Sequence, residues 1–334
     1  MIDGGAEILR IALPLKPEAH ALVGATEREI AFLRVVDEST GRVGFGECAP
    51  LAGLHRESLG EAIEALEAWS DGACDLDELP PSAAFAASTA CAMLDGFGTK
   101  ACAPAQVASF FPGGFADLNA RVIAAFSEAP IIKLKIGRVT IAEERAFLSR
   151  ALEAWPSARF RLDGNRRMEL DACVALLRGL DRDRIEYVEE PLADPSALAA
   201  LARATGMRVA LDELVVDGSS EARRLRDALS PDDGVIAWVL RMSAIGSLEA
   251  IRARANEAAQ RGVDVVLSTA YESSFSLRVA VHLAASLPNA RRAHGIGTAA
   301  LLAEDSCASA CVTRGTILGE PLPIPFAEAW EEAP

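Results

Sequence analysis

The chain has 334 residues, and 51% of them are hydrophobic, which is enough for a sizeable core in about two domains or in one barrel with a smaller module. Its net charge is −15 and no run of Lys or Arg stands out, so the composition argues against nucleic acid and anionic membranes as partners. Seven scattered cysteines without CxxC spacing, no leader-like start and no apolar stretch of roughly 18–20 residues predict a cytoplasmic protein with reduced thiols.

The first hundred or so residues predict a mixed α and β module. Apolar and polar side chains alternate in two stretches, as they do in half-buried strands, and two helical stretches follow. The predicted strands cover residues 6–13 and 29–36, and the predicted helices cover about 57–69 and 83–96. Gly44, Gly46 and Pro50 indicate a loop between the strands and the helices.

From about residue 130 the pattern changes to short apolar runs that alternate with amphipathic helices. The runs cover residues 131–136, 159–163, 185–189, 208–212, 235–241, 264–268 and 292–295. Each run ends on a polar or charged residue, and these ends lie 23 to 29 residues apart, the length of one strand, one helix and two loops. Seven or eight such units in a row predict a β/α barrel. The Pro-broken stretch 317–326 is predicted to leave the barrel and rejoin the N-terminal module.

Three carboxylates, Asp163, Glu189 and Asp212, end consecutive predicted strands, whose carboxyl ends form the mouth of a barrel. Carboxylates brought together repel one another, and a divalent cation between them relieves that repulsion. Oxygen ligands without Cys or His favour Mg²⁺, or Mn²⁺ as a substitute, over zinc. Each acid alone could be a helix cap, but three at successive strand ends favour a metal site. Glu190 and Glu213, which follow two of them, are interpreted as groups that support the ligands.

Lys133 and Lys135 lie two apart on one predicted strand and therefore share a face inside the barrel. Two neighbouring cations lower each other's pKa, and a lysine with a lowered pKa can act as a base. The alternative is that one lysine is exposed and the other is paired with a carboxylate. Arg161, two residues before Asp163, faces the same interior, and Asn165 could hydrogen-bond that ligand or the substrate; both are candidate substrate-binding residues.

Arg241 ends the strand across the barrel from the lysine pair. Because a guanidinium stays protonated, it cannot be a general base, but it can hold an anion or stack on a π-system; a salt bridge to a neighbouring acid is the alternative. Ser268 and Thr269 begin a loop that leads into a helix and could bind a carboxylate, with plain helix capping as the alternative. His55 and His294 have no orienting acid in the sequence and are interpreted as structural.

Taken together, these motifs resemble a known family. They are K-x-K (133–135), RLDGN (161–165), VEEPL (188–192), LDE (211–213), LRMSAIGSL (240–248) and LSTAYESS (267–274), with GFGECAPLAGLHRESL (44–59) and PPSAAFAASTACAML (80–94) before them. Their order and spacing are similar to the muconate-lactonizing subgroup of the enolase superfamily, and within it to the o-succinylbenzoate synthase family. The resemblance implies a (β/α)7β modified TIM barrel over residues 106–314, with an α+β capping domain over 1–105 that is completed by about 315–334.

The resemblance also implies a reaction and roles for the residues. The implied reaction is the Mg²⁺-dependent syn-dehydration of 2-succinyl-6-hydroxy-2,4-cyclohexadiene-1-carboxylate to o-succinylbenzoate, in menaquinone biosynthesis. Lys135 would take the proton α to the substrate carboxylate and return it to the departing hydroxide, with electrostatic assistance from Lys133. Ser268 and Thr269 would help to hold the succinyl tail. The implied magnesium ligands are Asp163, Glu189 and Asp212.

One residue departs from the family pattern, because Arg241 stands where the family has lysine. An arginine does not exchange protons readily, so it counts against a racemase that needs two bases. With nucleic acid and membranes disfavoured as partners, the expected partner is a small-molecule carboxylate substrate. A muconate-type cycloisomerase, another carboxylate lyase, and a protein that binds metal and carboxylate without turnover stay open as alternatives, and so does the oligomeric state.

Overall fold

The computed structural model describes residues 5–331, and its N-terminal part is an antiparallel sheet covered by helices. In chain order the elements of this part are β1 (Ala6–Pro14), α1 (Pro17–Val23), β2 (Glu27–Asp37), β3 (Arg42–Cys48), α2 (Leu59–Ser70) and α3 (Pro81–Leu94). β2 is the central strand and pairs antiparallel with both β1 and β3. Along β2, Leu33 and Val35 pack against α2 and α3, whereas Ile30 and Phe32 join the core on the barrel side. The alternation predicted from the sequence therefore separates two apolar faces.

The close packing of α3 on β3 depends on the absence of side chains. A Cβ atom at Gly44 or Gly46 would overlap the main-chain oxygen of Ala90 or Ala86 on the helix. Both glycines lie within β3, so the predicted loop at this position is wrong. A strand pressed closely against a helix requires glycine as a turn does, and the two cases look alike in a sequence.

The rest of the chain forms the barrel and its return to the N-terminal sheet. The elements are β4 (Cys102–Gln106), β5 (Ser109–Phe111), α4 (Ala120–Ala125), β6 (Ile131–Lys135), α5 (Ile141–Ala154), β7 (Arg159–Asp163), α6 (Leu170–Leu177), β8 (Ile185–Glu189), α7 (Leu198–Thr205), β9 (Val209–Leu211), α8 (Glu213–Val216), α9 (Ser220–Ala228), β10 (Val235–Arg241), α10 (Met242–Ile245), α11 (Leu248–Gln260), β11 (Asp264–Ser268), α12 (Ser274–Ser286), β12 (Thr316–Gly319) and α13 (Ala327–Glu331). Side-chain caps fix where the outer helices begin; the Thr140 hydroxyl accepts from the third residue of α5, and the Ser247 hydroxyl does the same for α11.

Seven strands, β5 to β11, follow one another in a parallel sheet in chain order. The ring is closed by His294 and Gly295: the Ala108 amide donates to the His294 oxygen at 2.9 Å, and the Gly295 amide donates to the Leu267 oxygen at 2.8 Å. This arrangement confirms the predicted modified TIM barrel with an α+β capping domain. β5 was not among the predicted strands, because three residues are too short to show a period.

The C-terminal residues return to the N-terminal half of the chain. β12 pairs antiparallel with β4, and the Phe326 ring lies 5.8 Å from the Phe32 ring of β2. The Trp330 ring lies 5.8 Å from that of Phe45 in β3. The outermost ends of the predicted capping domain, residues 1–4 and 332–334, lie outside the described residues.

All seven cysteines are free thiols, and Cys48 and Cys173 are buried. Between residues 5 and 331, no helix combines the length and the apolarity that a membrane crossing requires.

Candidate active site

Three carboxylates meet at the carboxyl ends of neighbouring barrel strands. Asp163 ends β7, Glu189 ends β8, and Asp212 directly follows β9. Their exposed fractions are 1%, 1% and 0%. Because parallel strands in register end on the same rim, a repeat of about 26 residues in the sequence becomes one cluster in space. The structure thus brings together the three acids that the sequence predicted as metal ligands.

Both lysines of β6 point into this cluster. Lys133 Nζ lies 2.7 Å from Glu189 Oε1 and 2.8 Å from Asp163 Oδ2. Lys135 Nζ lies 2.6 Å from the same Asp163 oxygen and 2.6 Å from Asn165 Oδ1. The two ammonium groups therefore share one carboxylate oxygen, and each has a second partner of a different kind.

These partners shift the pKa values of the two lysines in opposite directions. Burial lowers the pKa of Lys135 below its ordinary value, with the charge of Lys133 adding to it and Asp163 opposing it. Burial also acts to lower the pKa of Lys133, but Asp163 and Glu189 outweigh it and raise that pKa above its ordinary value. The predicted mutual lowering is therefore correct for Lys135 and wrong for Lys133, because only Lys133 contacts two carboxylates.

Arg241, at the end of β10, holds Asp212. Its Nε lies 2.6 Å from Asp212 Oδ1, and its Nη2 contacts Oδ2, so the two groups form a bidentate pair. Burial opposes the charge of Asp212, but Arg241 outweighs it and keeps the pKa of that carboxyl below its ordinary value. The sequence predicts either an anion or π-contact for Arg241 or a salt bridge to a neighbouring acid; the contact with Asp212 is the salt bridge.

The acids around the mouth outnumber the cations that contact them. The acids are Asp163, Glu189, Asp212 and Glu213, and the cations are Lys133, Lys135 and Arg241. Burial and the charge of Asp163 raise the pKa of Glu189 to about 7. Burial and the charge of Asp212 raise the pKa of Glu213 to about 8. A cluster of buried oxygen acids whose charged forms are disfavoured by burial and by one another's charge fits a divalent cation such as Mg²⁺, which would favour those charged forms.

The carboxylates are turned toward the cations in the present geometry. In the described part of the chain, no three His, Cys, Asp or Glu side chains are already grouped around one metal-sized position. Binding of a divalent cation by Asp163, Glu189 and Asp212 would therefore require side chains of this cluster to move toward a common centre.

Glu190, Asn165 and Glu213 support this cluster from behind. Glu190 accepts hydrogen bonds from the Asp212 amide at 2.7 Å and from Arg166 Nε at 2.6 Å, which fixes the end of β9. The Asn165 amide donates to Asp163 Oδ1 at 3.2 Å, and its side-chain Nδ2 donates to Glu213 Oε1 at 3.3 Å. Asn165 thus joins the lysine side of the mouth to the Arg241 side.

Arg161 lies deeper inside the barrel than the carboxylate cluster. Its Nε is 2.7 Å from Glu186 Oε2, its guanidinium is 4.7 Å from the Tyr187 ring centre, and it is 1% exposed. Glu186 reaches the interior because the pairing of β7 with β8 shifts register beside Arg161. The arginine faces the interior as expected, but its polar contact is with Glu186; its role in substrate binding stays a prediction.

Ser268 and Thr269 lie on the rim beside the segment that closes the barrel. Thr269 Oγ1 is 2.8 Å from Thr298 Oγ1, and Ser268 Oγ lies 3.5 Å from the Gly295 oxygen. Both residues are buried, and their role with a substrate stays a prediction. His294 accepts a hydrogen bond from the Leu267 amide through Nδ1 at 3.1 Å, a structural contact.

His55 also makes a structural contact, because its Nδ1 accepts from the Leu51 amide at 2.9 Å. Its position is nevertheless close to the mouth: the loop 53–57 of the capping domain lines a cavity of about 780 Å³ together with Glu213 and Arg241. A second cavity, of about 620 Å³, opens on the other side, between the loop 112–117 and Lys135.

Two buried acids near the mouth were missed by the sequence analysis. Glu47, in β3, accepts from the Ser273 amide at 2.8 Å and from the Ser276 hydroxyl at 2.7 Å at the start of α12. Glu272 accepts from the Ser243 hydroxyl at 2.6 Å. The available signal was an acid at an inward position of an otherwise apolar strand, in GFGEC, but its partners lie more than 200 residues away.

Comparisons with known proteins agree with this geometry. A family model described as Enolase C-terminal domain-like matches residues 117–316, more than half of the chain. The o-succinylbenzoate synthase of Edwardsiella ictaluri (strain 93-146) is 32% identical over 254 residues, covering 74% of this chain and 76% of that protein. The o-succinylbenzoate synthase of Proteus mirabilis (strain HI4320) is 30% identical over 280 residues, covering 81% and 83%.

Solved structures with low sequence identity share the fold. The substrate-liganded L-Ala-D/L-Glu epimerase from Bacillus subtilis has a TM-score of 0.80 at 20% identity, covering 97% of this chain and 98% of that chain. The muconate lactonizing enzyme from Pseudomonas putida has a TM-score of 0.77 at 18% identity, covering 97% and 96%. With the family model and the relatives that exceed 30% identity, the chain belongs to the enolase superfamily, in its muconate-lactonizing subgroup beside o-succinylbenzoate synthase, and is an enzyme.

Proposed function

We propose that this enzyme is an o-succinylbenzoate synthase. It would dehydrate 2-succinyl-6-hydroxy-2,4-cyclohexadiene-1-carboxylate to o-succinylbenzoate, in the cytoplasm, as a step of menaquinone biosynthesis. The observation that carries the proposal is the contact of Lys135 with Asp163 at the barrel mouth, beside Glu189 and Asp212. The relatives that bear the synthase name support the choice of substrate.

The metal in this proposal is Mg²⁺, held by Asp163, Glu189 and Asp212. Enolase-superfamily enzymes depend on a divalent metal, and the excess of buried acids at the mouth supports one here. The bound cation would supply positive charge for the substrate carboxylate as the neighbouring carbon loses its proton.

Lys135 is the base in this mechanism. Asp163 and Asn165 hold its side chain at the edge of the cluster. Lys135 also lines the cavity of about 620 Å³, so a ligand in that cavity would contact it. The amine takes the proton from the carbon that bears the carboxylate. The C–O bond on the adjacent carbon then breaks, a double bond completes the aromatic ring, and the proton returns to the departing hydroxide, so that water leaves. One group serves both steps, which requires the hydrogen and the hydroxyl to lie on the same face.

The other polar residues hold the substrate. Lys133 keeps its proton beside Glu189 and Asp163 and contributes a fixed positive charge. The cavity next to Lys135 is lined by the loop 112–117 and the Phe147 ring, which suit the cyclic part of the substrate. Rim hydroxyls and deeper polar groups would hold the succinyl tail and the polar edges of the ring; these residues are Ser268, Thr269, Asn165 and Arg161.

Arg241 faces the substrate from the side opposite the lysines. Its contacts with Asp212 raise its pKa well above the ordinary value, so it takes no part in proton transfer. It would contribute charge beside the ring or a substrate anion. A site with one base can exchange the α-proton from one face only. Efficient racemisation of N-acylamino acids or dipeptides by the wild-type enzyme would therefore contradict this assignment.

The test is a dehydration assay with the purified enzyme, in which the absorbance of the aromatic product is followed with MgCl₂ and with EDTA. We expect turnover with MgCl₂ and none with EDTA. Conversion of muconate in place of the synthase substrate would indicate a cycloisomerase, and binding without turnover would indicate a non-catalytic protein.

The role of Lys135 is tested in the same assay. Lys135→Ala is expected to abolish turnover and to leave Mg²⁺ binding in place, since the three ligands are unchanged. The matched control is Lys100→Ala, because Lys100 is exposed and lines neither of the two cavities at the mouth. An active Lys135→Ala variant beside an inactive His294→Ala variant would contradict the assignment of the base.

A further inference from the structure

Asp212 differs from Asp163 in how its oxygens are used, and from Glu189 in that its partner is a guanidinium; both Glu189 oxygens accept from the Lys133 ammonium, at 2.7 and 2.9 Å. Arg241 contacts both Asp212 oxygens through one planar guanidinium. In Asp163, the two lysines crowd onto Oδ2; within the described part of the chain, Oδ1 accepts only from the Asn165 main-chain amide, at 3.2 Å. A divalent cation can therefore approach Asp163 at one oxygen while its lysine contacts stay in place. It can approach Asp212 only if the guanidinium moves.

The guanidinium cannot step aside by losing its charge, because arginine stays protonated in proteins. A second acid must therefore take over from Asp212. Glu213 is the adjacent residue, and its Oε2 is buried without a hydrogen-bond partner in residues 5–331. Its other oxygen accepts only a long hydrogen bond, 3.3 Å from Asn165 Nδ2. Glu213 thus has an unsatisfied acceptor, and it lines the same cavity as Arg241.

Space for the movement exists on that side. Arg241 and Glu213 both line the cavity of about 780 Å³ that is bounded by the capping-domain loop 53–57. The Arg241 side chain is 17% exposed, whereas that of Asp212 is fully buried, so the guanidinium already borders this space. A rotation into the cavity keeps the charge in a polar environment and does not push it into the apolar core.

We infer that Arg241 and a divalent cation compete for the Asp212 carboxylate, and that Glu213 receives the guanidinium when the cation binds. This inference rests on the proposed role of Asp212 as a metal ligand. The exchange keeps Asp212 beside a positive charge before and after binding, and it gives Glu213 a cation partner once the metal is bound. It also couples metal binding to the position of the positive charge that faces Lys135 across the mouth. A lysine at position 241 would form a different pair, because its single ammonium lacks the planar two-nitrogen fork of a guanidinium.

The experiment measures Mn²⁺ and Mg²⁺ binding directly, by isothermal titration calorimetry, and needs no turnover. For Arg241→Met we expect the metal Kd to fall by about tenfold, the size of one charge-assisted contact that the metal no longer has to displace. Arg241→Lys should give a smaller decrease. The matched control is Arg254→Met, because Arg254 lines the same cavity but pairs with Glu257 and does not contact Asp212. Its Kd should stay near the wild-type value.

A double-mutant cycle tests the receiving acid. Glu213→Gln should raise the metal Kd in the wild-type background, because the displaced guanidinium loses its acceptor. The same substitution should have much less effect in the Arg241→Met background, where there is no guanidinium to receive. Equal effects in both backgrounds would overturn the role of Glu213.

The outcomes separate this inference from the proposed function. Wild-type binding that is lost in Asp212→Asn but unchanged in Arg241→Met and Arg241→Lys would overturn the competition and leave the metal site intact. An equal gain in Arg254→Met would also overturn it, because a general effect of charge would then explain the gain. If the wild-type enzyme binds neither ion, the metal site itself fails, and the competition fails with it. Circular dichroism of each variant checks that it is folded.

Discussion

Two lysines on the same face of one strand acquire different properties from their neighbours. Lys133 lies between Asp163 and Glu189, which hold its charge in place and raise its pKa. Lys135 has one carboxylate and the amide oxygen of Asn165, and burial together with the charge of Lys133 lowers its pKa. The two lysines are two residues apart, about 7 Å along β6, yet one is a fixed cation and the other a candidate base. This difference in pKa comes from the acids at the ends of β7 and β8 and not from β6 itself.

The carboxylate cluster leads to a prediction for single residues. Asp163→Asn and Glu189→Gln each remove a charged oxygen ligand and should weaken Mg²⁺ binding by about tenfold or more. Isothermal titration calorimetry measures the Kd. Asp171→Asn, an exposed acid in the first turn of α6, is the control and should bind like the wild type. Wild-type affinity in both cluster variants would contradict the assignment of the ligands.

At the level of the elements, the loop after β11 is fixed from two directions. Glu47 of β3 holds the start of α12 through Ser273 and Ser276. Glu272 connects the same loop to Ser243, which follows the strand that ends in Arg241. The capping domain therefore contributes to the position of the rim that carries Ser268 and Thr269, as well as covering the mouth. Because main-chain amides and serine hydroxyls satisfy the acceptors, the buried acids are tolerated there.

The contact between β3 and α3 is expected to be sensitive to one added methyl group. In Gly46→Ala, the new Cβ would overlap the Ala86 main-chain oxygen, and a main chain in a helix cannot yield as a side chain can. We expect a loss of about 3 kcal/mol in the free energy of unfolding, at the upper end for an overpacked core. Urea unfolding followed by circular dichroism measures it.

The matched control for this substitution is Gly60→Ala in the first turn of α2, where the nearest atom to a new Cβ is Ser58 Oγ at 3.9 Å. Alanine there should be neutral or stabilising, by up to about 1 kcal/mol, because it restricts the unfolded chain. Equal stability of the two variants would show that the sheet and the helix can separate without cost.

Across the whole molecule, the barrel was predictable because its strands repeat and end on polar residues. Each run from 131–136 to 264–268 corresponds to a strand, and the run 292–295 contains the two residues that close the ring. β5 has three residues and no alternation, so a pattern analysis had no signal for it. The glycines of β3 predict a loop from the sequence alone, because a close helix contact and a turn select the same residue type.

The site was predictable to the extent that it depends on strand ends. Asp163, Glu189 and Asp212 meet because parallel strands share a rim. Pairings that depend on distance across the fold were not predictable: Glu47 meets Ser273, 226 residues later, and nothing in either segment specifies the other. The partner of Arg161 depends on a register shift between two strands, a local irregularity that leaves no trace in hydrophobic periodicity.

The closing segment of the barrel gives a prediction for the pH dependence of global stability. Burial, with a smaller contribution from Arg161, lowers the pKa of His294 from 6.5 to about 4. Between these values the unfolded chain binds a proton at this histidine and the folded barrel does not, so the stability falls as the pH falls from about 6.5 to 4. The contribution of His294 to this loss is on the order of 3 kcal/mol at pH 4.

In His294→Asn, the side-chain oxygen can still accept from the Leu267 amide, but the side chain at this position no longer titrates in this range. Urea unfolding at pH 7.5, 6.0 and 5.0 should therefore show a shallower acid loss in the variant than in the wild type. Parallel curves for the two proteins would mean that His294 becomes protonated in the folded barrel at its ordinary pKa, and that the segment 293–295 opens more easily than its hydrogen bonds to Gln106 and Leu267 imply.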